Sequence, residues 1–275
     1  MSKMVLITGA TSGIGKVTAL ELAKQNMTVV FTSRNMQKGE QVKQEIIQES
    51  SNPNVEVMEC DFNSLESVRD FTQNFKSKYD KLDILINNAG TWEVERKETK
   101  DGIEMTFGVN HLAPFLLTNL LLDLIKKSAP SRIINVSSNL HGGEIHFYDL
   151  EYKKSFSSPG SYTQSKLANI LFTKKLSSIL EGTGVTVNCL HPGVIKTSLT
   201  RNANPVIKFV LGLFQTTPEE GAKTTLYLAT SDEVKNISGE YFAKSKIADS
   251  GEYSKKPEIA DKLWDISLEY VRRFM

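Results

Sequence analysis

The chain has 275 residues, 40% of them hydrophobic and 24% charged, and 33 basic against 32 acidic side chains leave a net charge of +1. That balance is ordinary for a soluble globular protein and provides no field to recruit nucleic acid or an anionic membrane. The two cysteines, Cys60 and Cys189, sit in apolar strand-like runs, which predicts reduced, buried thiols and a cytoplasmic protein.

The first residues run straight into a strand over Met4 to Thr8, a reading that leaves no room for a signal peptide or an N-terminal anchor. The strand meets Thr8-Gly9-Ala10-Thr11-Ser12-Gly13-Ile14-Gly15, and a helical pattern follows to about Gln25. Strand, glycine turn and helix together make the motif informative. Glycines let backbone approach a pyrophosphate, whose charge is favoured at a helix N-terminus. The spacing is Gly-x-x-x-Gly-x-Gly rather than Gly-x-Gly-x-x-Gly.

Thr28 to Thr32 is read as the second strand. An NAD-selective site usually carries an acid about 20 residues past the glycine motif, to bind the ribose 2′-hydroxyl. Here Ser33-Arg34 stands in its place, and a guanidinium suits a 2′-phosphate, so NADP(H) is favoured over NAD(H). A helix is predicted over Asn35 to Gln48, a turn at Asn52-Pro53-Asn54, and a strand over Val55 to Cys60 closed by Asp61-Phe62. Asp61 could accept from an adenine amino group; Asn63 and Ser64 are equally good caps for the next helix, Leu65 to Tyr79.

A strand over Leu82 to Ile86 ends in Asn87-Asn88-Ala89-Gly90, small residues and amides that admit a ligand or another strand. A long helix is predicted over Asp101 to Lys127, with Asn110 inside it. Pro114, four residues on, has no N–H for the Asn110 carbonyl, so that carbonyl could hold a water. The apolar run Leu112 to Ile125, broken by Pro114, Asn119 and Asp123, is read as too short and polar to span a bilayer.

Arg132 to Ser137 is the fifth strand, followed by Ser138. The next connection, about 20 residues, is longer than most and is expected to shape a substrate pocket. The helix Gly160 to Ile179 then carries Tyr162 and Lys166, spaced to share one face. An ammonium beside a phenol favours the phenolate and is expected to lower the tyrosine's pKa, making it a proton donor and acceptor near neutrality. Val185 to Leu190 is a sixth strand, ending in His191-Pro192-Gly193-Val194-Ile195-Lys196-Thr197. The apolar stretch Pro205 to Phe214 reads as a lid over an apolar pocket, with membrane-surface contact or plain core as the alternatives. Pro218 to Thr230 is a helix, Glu240 to Phe242 a last strand and Pro257 to Phe274 a C-terminal helix. No repeat or linker divides the chain. The alternation predicts a single α/β domain over 1–275, a Rossmann-type doubly wound parallel sheet of about seven strands with helices on both faces, with substrate-loop segments 139–161 and 198–217.

These pieces in this order resemble the short-chain dehydrogenase/reductase family: Thr8-Gly9 to Gly15, Asp61, Asn87 to Gly90, Asn110, Ser138, Tyr162 with Lys166, and Pro192-Gly193 with Thr197. The stretch Asn110 to Thr118 and the long loop before Ser161-Tyr162 are similar to the family's retinol-dehydrogenase-like branch. The resemblance implies catalysis by Asn110, Ser138, Tyr162 and Lys166. Tyr162 would be the acid in carbonyl reduction and the base in alcohol oxidation. Lys166 would lower its pKa and bind the nicotinamide ribose, Ser138 rather than Ser137 would bond the substrate oxygen, and Asn110 would hold a relay water. For NADP(H), it implies contacts from Gly9, Thr11, Ser12, Gly13, Ile14, Ser33, Arg34, Asp61, Phe62, Asn88, Ala89, Gly90, Tyr162, Lys166, Pro192, Gly193, Val194 and Thr197, and no metal. Members of the branch often carry a membrane anchor ahead of the first motif. The reading of the N-terminus here argues against membrane residence and retinoid substrates. The expected substrate is an apolar carbonyl or alcohol, and a homo-oligomer paired through the helices around Asn110 and Tyr162 is implied. Two other readings stand beside this one: a cofactor-binding sensor or scaffold without chemistry, and a reductase for steroid or acyl-thioester substrates. For an acyl-carrier partner the sequence offers no obvious basic cluster.

Overall fold

The computed structural model of the protein describes residues 2–193 and 217–275. In chain order these form β1 (Met4–Ile7), α1 (Gly13–Lys24), β2 (Thr28–Ser33), α2 (Met36–Ser50), β3 (Val55–Glu59), α3 (Leu65–Lys78) and β4 (Ile84–Asn87). Next come α4 (Met105–Phe107), a π-helical turn (Gly108–Leu112), α5 (Ala113–Lys127), β5 (Ser131–Val136), α6 (Ser158–Ile179) and β6 (Val185–His191). The last elements are α7 (Pro218–Thr230), β7 (Tyr241–Ala243), β8 (Lys246–Ile247) and α8 (Pro257–Val271). They build one eight-stranded sheet in the order β3-β2-β1-β4-β5-β6-β7-β8. Strands β1 to β7 pair in parallel, and β8 adds an antiparallel edge to β7. The sequence reading lacked β8, because two exposed residues carry no alternation.

Alternation along the strands explains the two covered faces. In β1, Leu6 packs with Phe71, Phe115 and Leu171 from α3, α5 and α6, whereas Val5 and Ile7 pack with Leu22, Ile46 and Leu228 from α1, α2 and α7. Ile133 and Ile134 of β5 divide in the same way. The central strands therefore contribute apolar area to both layers, as a buried parallel sheet requires. The chain order reverses between β1 and β4. The connections that follow them leave to opposite faces of the sheet, towards α1 and α5, at the crevice position where open α/β sheets bind ligands.

The long helix begins at Met105 rather than Asp101, because Thr99 to Ile103 close a hydrogen-bonded turn and Glu104 caps Thr106 and Phe107 with its own carboxylate. Its π turn falls on Asn110, three residues short of the helix that Pro114 enters. The continuous helix Met105–Lys127 spans 23 residues and is long and apolar enough to cross a membrane, more than the sequence reading allowed. Most of it is buried inside the protein, where Leu112, Phe115, Leu116 and Leu121 form part of the core. Helix α6 starts two residues earlier than predicted, with Ser157 accepting from the Gly160 N–H. At the other end of the chain, α8 lies across α5 and α6. Trp264 meets Phe115 edge-on with ring centroids 4.9 Å apart, and Ser267 Oγ lies 2.8 Å from His111 Nε2. This helix thus covers part of the face through which the resemblance implies subunit pairing. The predicted lid at 205–214 lies outside the described residues.

Candidate active site

Thr8, the last residue before the glycine turn, organises the crevice. Its Oγ1 accepts from the Asn88 and Ala89 N–H groups at 3.0 Å each, and Asn88 Nδ2 donates to the Thr8 and Gly9 carbonyls at 2.9 and 3.1 Å. The glycine turn and the β4 end are thereby held in close contact. Gly9 has φ +69°, and a Cβ there would fall 2.8 Å from the Ala89 Cα; at Gly15 it would fall 2.5 Å from the Gly9 carbonyl oxygen. Glycine is required at both positions by space, and at Gly9 by backbone conformation as well. Ser12 precedes α1 without capping it by its side chain, and the first turn contains no acid. The helix therefore offers N–H groups and the positive end of its dipole to the crevice.

The crevice has a volume of about 920 Å³. Lining it are Gly9, Thr11, Ser12, Gly13 and Ile14 from the glycine turn, Ser33 and Arg34 after β2, and Asp61 and Phe62 after β3. Asn88, Ala89 and Gly90 after β4, Tyr162 and Lys166 from α6, and Pro192 after β6 complete the predicted set that it brings together. Gly193 follows at φ +96° without lining the crevice, and Val194 and Thr197 lie outside the described residues.

Several of these side chains have structural partners. The Ser33 hydroxyl donates to the Asn35 carbonyl at 2.7 Å and so shapes the turn into α2. Asp61 Oδ1 accepts from the Asn63 N–H at 3.1 Å, and Oδ2 pairs with Lys100 at 2.9 Å, while Ser64, not Asn63, caps α3. Arg34 is exposed at the crevice rim. Facing it is Glu93. Burial pushes that carboxyl upward, but hydrogen bonds from Lys97 and Thr91, with the positive field of Lys97 and Arg34, hold it below the usual carboxylate range.

At the other end Tyr162 and Lys166 are both buried, 8% and 5% exposed, on one face of α6. Lys166 Nζ donates to the Val136 carbonyl at 3.1 Å and lies 5.6 Å from the Tyr162 ring centroid. Burial lowers its pKa to about 8. Burial also pushes the Tyr162 phenol up to about 12, the Ser138 hydroxyl opposing the shift. This corrects the expectation of a lowered tyrosine pKa: the shift is upward because desolvation, which spacing along a sequence does not report, leads it, and only the Ser138 hydroxyl opposes it. The Ser137 hydroxyl donates to the Lys166 carbonyl at 2.7 Å, and the serine hydrogen-bonded to the phenol is Ser138.

Asn110 is 1% exposed and its side-chain amide is fully engaged. Oδ1 accepts from the Thr91 N–H at 2.7 Å, and Nδ2 donates to the Thr91 carbonyl at 2.9 Å and to Ser165 Oγ at 3.0 Å. Asn110 therefore clamps the loop after Gly90 to two helices. At Gly90 the space is tight: a Cβ there would fall 3.2 Å from Asn110 Oδ1, which would have to yield by a few tenths of an ångström, and in ordinary contact, 3.6 Å, with Lys166 Nζ. The loop's next residue, Trp92, stacks on Tyr162 with ring centroids 4.4 Å apart and planes 10° from parallel. Neither Thr8 nor Trp92 was marked as a site residue by the sequence. A hydroxyl directly before the glycine turn was the available signal for Thr8; a lone aromatic in a polar loop gives none.

A glycine cradle at a helix N-terminus, continuous with a buried Ser-Tyr-Lys group, is the architecture of a dinucleotide-dependent oxidoreductase. A family model described as short chain dehydrogenase matches residues 3–207. Retinol dehydrogenase 14 from Mus musculus is 46% identical over 282 residues, covering 96% of this chain and 84% of that protein. Retinol dehydrogenase 11 from Homo sapiens is 41% identical over 270 residues, covering 97% and 85%. Among solved structures, an uncharacterized protein from Mycobacterium Paratuberculosis superposes with a TM-score of 0.80 at 33% identity, covering 98% of this chain and 93% of that one. A short chain dehydrogenase from Escherichia coli CFT073 complexed with NADPH gives 0.72 at 25% identity, covering 89% and 97%. The chain belongs to the short-chain dehydrogenase family, in its retinol-dehydrogenase-like branch, and is an enzyme of the class that acts on alcohols.

Proposed function

We propose that this enzyme interconverts a carbonyl and an alcohol on an apolar small molecule with NADP(H), using Tyr162 as the general acid and base. The observation that carries the proposal is the burial of Tyr162 and Lys166 side by side at one end of the crevice whose other end is the glycine cradle. The cradle, the uncapped N-terminus of α1 and the exposed Arg34 fit a dinucleotide bearing a 2′-phosphate. One solved neighbour is complexed with NADPH, which supports the same choice.

The dinucleotide supplies or accepts the hydride, and the protein supplies position, protons and charge. With its pKa near 12, Tyr162 keeps its proton throughout the neutral range, the form that donates to a carbonyl oxygen. That is the form reduction uses; oxidation needs the phenolate. Ser138 lies beside the phenol and orients the same oxygen. Lys166 contributes positive charge below about pH 8, which stabilises the phenolate left after proton donation. Asn110 acts through its backbone carbonyl, to which Pro114 has no N–H to offer, because its side chain is already engaged with Thr91 and Ser165. The reading of the N-terminus argues against retinoid substrates, but the relatives named retinol dehydrogenase make an isoprenoid aldehyde such as retinaldehyde the first substrate to try. The buried, unpaired Cys60 and Cys189 support residence in the cytoplasm.

The test is NADPH oxidation by purified protein against a panel of apolar aldehydes and ketones that includes retinaldehyde. The proposal expects turnover with at least one of them and its loss in Tyr162→Phe. NADPH binding without turnover on any carbonyl would instead identify a sensor or scaffold.

A further inference from the structure

A phenol that must deliver a proton to one point needs its ring held, and α6 alone leaves Tyr162 two side-chain torsions. The element that removes this freedom lies outside the helix. Trp92 lies parallel to the phenol ring at a centroid distance of 4.4 Å. Its indole N–H donates to Ser158 Oγ at 3.0 Å, and the Ser158 hydroxyl donates to the Glu93 carbonyl at 2.7 Å. Ser158 and Tyr162 are four residues apart on α6, so they stand one turn from each other on the same face. The indole is thus anchored on one turn and stacked on the next. Its own loop is fixed at the root, where Thr91 is bonded in both directions by Asn110. A continuous set of contacts runs from the π turn, through the loop, to the face of the phenol.

We propose that Trp92 is a positioning residue for Tyr162: it fixes the ring's orientation and keeps water off the face it covers. The inference rests on the proposed role of Tyr162 in proton transfer. Desolvation is the leading cause of the upward shift of the phenol, and the indole is one of the groups that desolvate it. Among the described residues, titratable groups on the segments packed around the ring include Lys166 on α6, Glu93 on the Trp92 loop, His141 beyond β5 and Tyr241 on β7, whose hydroxyl donates to the Ser138 carbonyl at 3.1 Å. Glu93 is held by Lys97 at 2.8 Å and Thr91 at 2.7 Å, and His141 Nδ1 lies 2.5 Å from the Ser138 carbonyl.

The experiment compares wild type, Trp92→Ala, Trp92→Phe and Ser158→Ala, each labelled with ¹³Cζ-tyrosine, with Tyr162→Phe used to assign the signal. Wild type is expected to hold the Tyr162 resonance unshifted to about pH 10.5. Trp92→Ala lets water reach the ring, and its titration moves down by about one unit into the measurable range. In NADPH-dependent carbonyl reduction, kcat of Trp92→Ala falls about tenfold or more, because a misplaced donor loses effective concentration, while KM for NADPH stays within about twofold. Trp92→Phe keeps a stacked ring and returns both quantities close to wild type; Ser158→Ala, which frees the indole, falls between. An unchanged titration in Trp92→Ala, a Phe variant as impaired as the Ala variant, or a KM for NADPH rising in step with the loss of rate would each overturn the proposal. The titration needs no turnover. A wild type inactive on every carbonyl would therefore count against the proposed function while the resonance still decides the part played by Trp92. Should Trp92→Ala fail to fold, Ser158→Ala carries the same comparison.

Discussion

Replacing Lys166 with methionine should stabilise the protein while abolishing its activity, by an amount that depends on pH. Lys166 is 5% exposed and its ammonium is bonded to the Val136 carbonyl at 3.1 Å. Its pKa drops from 10.5 to about 8 on burial. A drop of that size corresponds to about 3 kcal/mol by which the folded state disfavours the charged lysine. The sign follows from proton uptake. Below about pH 8 the lysine is charged in both states, and the folded state bears the full cost. Between about pH 8 and 10.5 the unfolded chain binds more protons, so stability rises with pH until the cost is gone. Methionine has a similar unbranched stem and no charge, and it gives up one hydrogen bond worth about 1 kcal/mol. The net gain is about 2 kcal/mol near pH 7, or roughly 5 °C in Tm for a chain of this size. Differential scanning calorimetry of both proteins at pH 7, 9 and 10.5 measures it. A Tm gain that shrinks towards zero at the highest pH supports the reasoning. A loss of stability at pH 7, or a gain independent of pH, would refute it.

Other consequences can be checked with the same protein. Arg34→Asp should move the ratio of kcat/KM for NADPH over NADH by about 100-fold or more towards NADH, because a carboxylate repels a 2′-phosphate and accepts from a 2′-hydroxyl; an unchanged ratio would remove Arg34 from the cofactor site. Gly15→Ala, whose Cβ would meet the Gly9 carbonyl oxygen at 2.5 Å, should distort the cradle and weaken NADPH binding at least tenfold in a fluorescence titration. The rate of carbonyl reduction should fall as pH rises through about 8, when Lys166 loses its charge, and alcohol oxidation should gain with pH as phenolate forms. Parallel profiles for the two directions would contradict that assignment of acid and base.

Much of the site was legible because its chemistry needs particular residues at fixed separations. Gly9 and Gly15 have no substitutes where the turn, β4 and α1 crowd together, so the motif marks its own geometry. Tyr162 and Lys166 must share a helix face, and four residues is the spacing that gives it. The parallel strands are apolar on both sides, which fixed the layers, whereas the short edge strand β8 left no pattern. Dielectric was not legible. The sequence puts an amine near a phenol but does not report that both are dry, and dryness reverses the direction of the tyrosine's shift. Contacts between distant segments were hidden too. The Asn110 amide is taken up by Thr91 and Ser165, which leaves its backbone carbonyl as the group that could hold a water, and the Asp61 carboxylate, which lines the crevice, also takes Lys100 and the Asn63 N–H. Trp92 belongs to no motif and acquires its place only when the loop after β4 folds back onto α6.

The most direct measurement is the pairing of two numbers for Tyr162→Phe: the Kd for NADPH, from quenching of protein fluorescence, and kcat on the best carbonyl substrate. If the phenolic hydroxyl supplies the proton, the Kd stays within about threefold of wild type while kcat falls by at least 1,000-fold, the upper part of the range for losing a general acid. A variant that still turns over at a comparable rate would contradict the account, whatever its affinity for the dinucleotide.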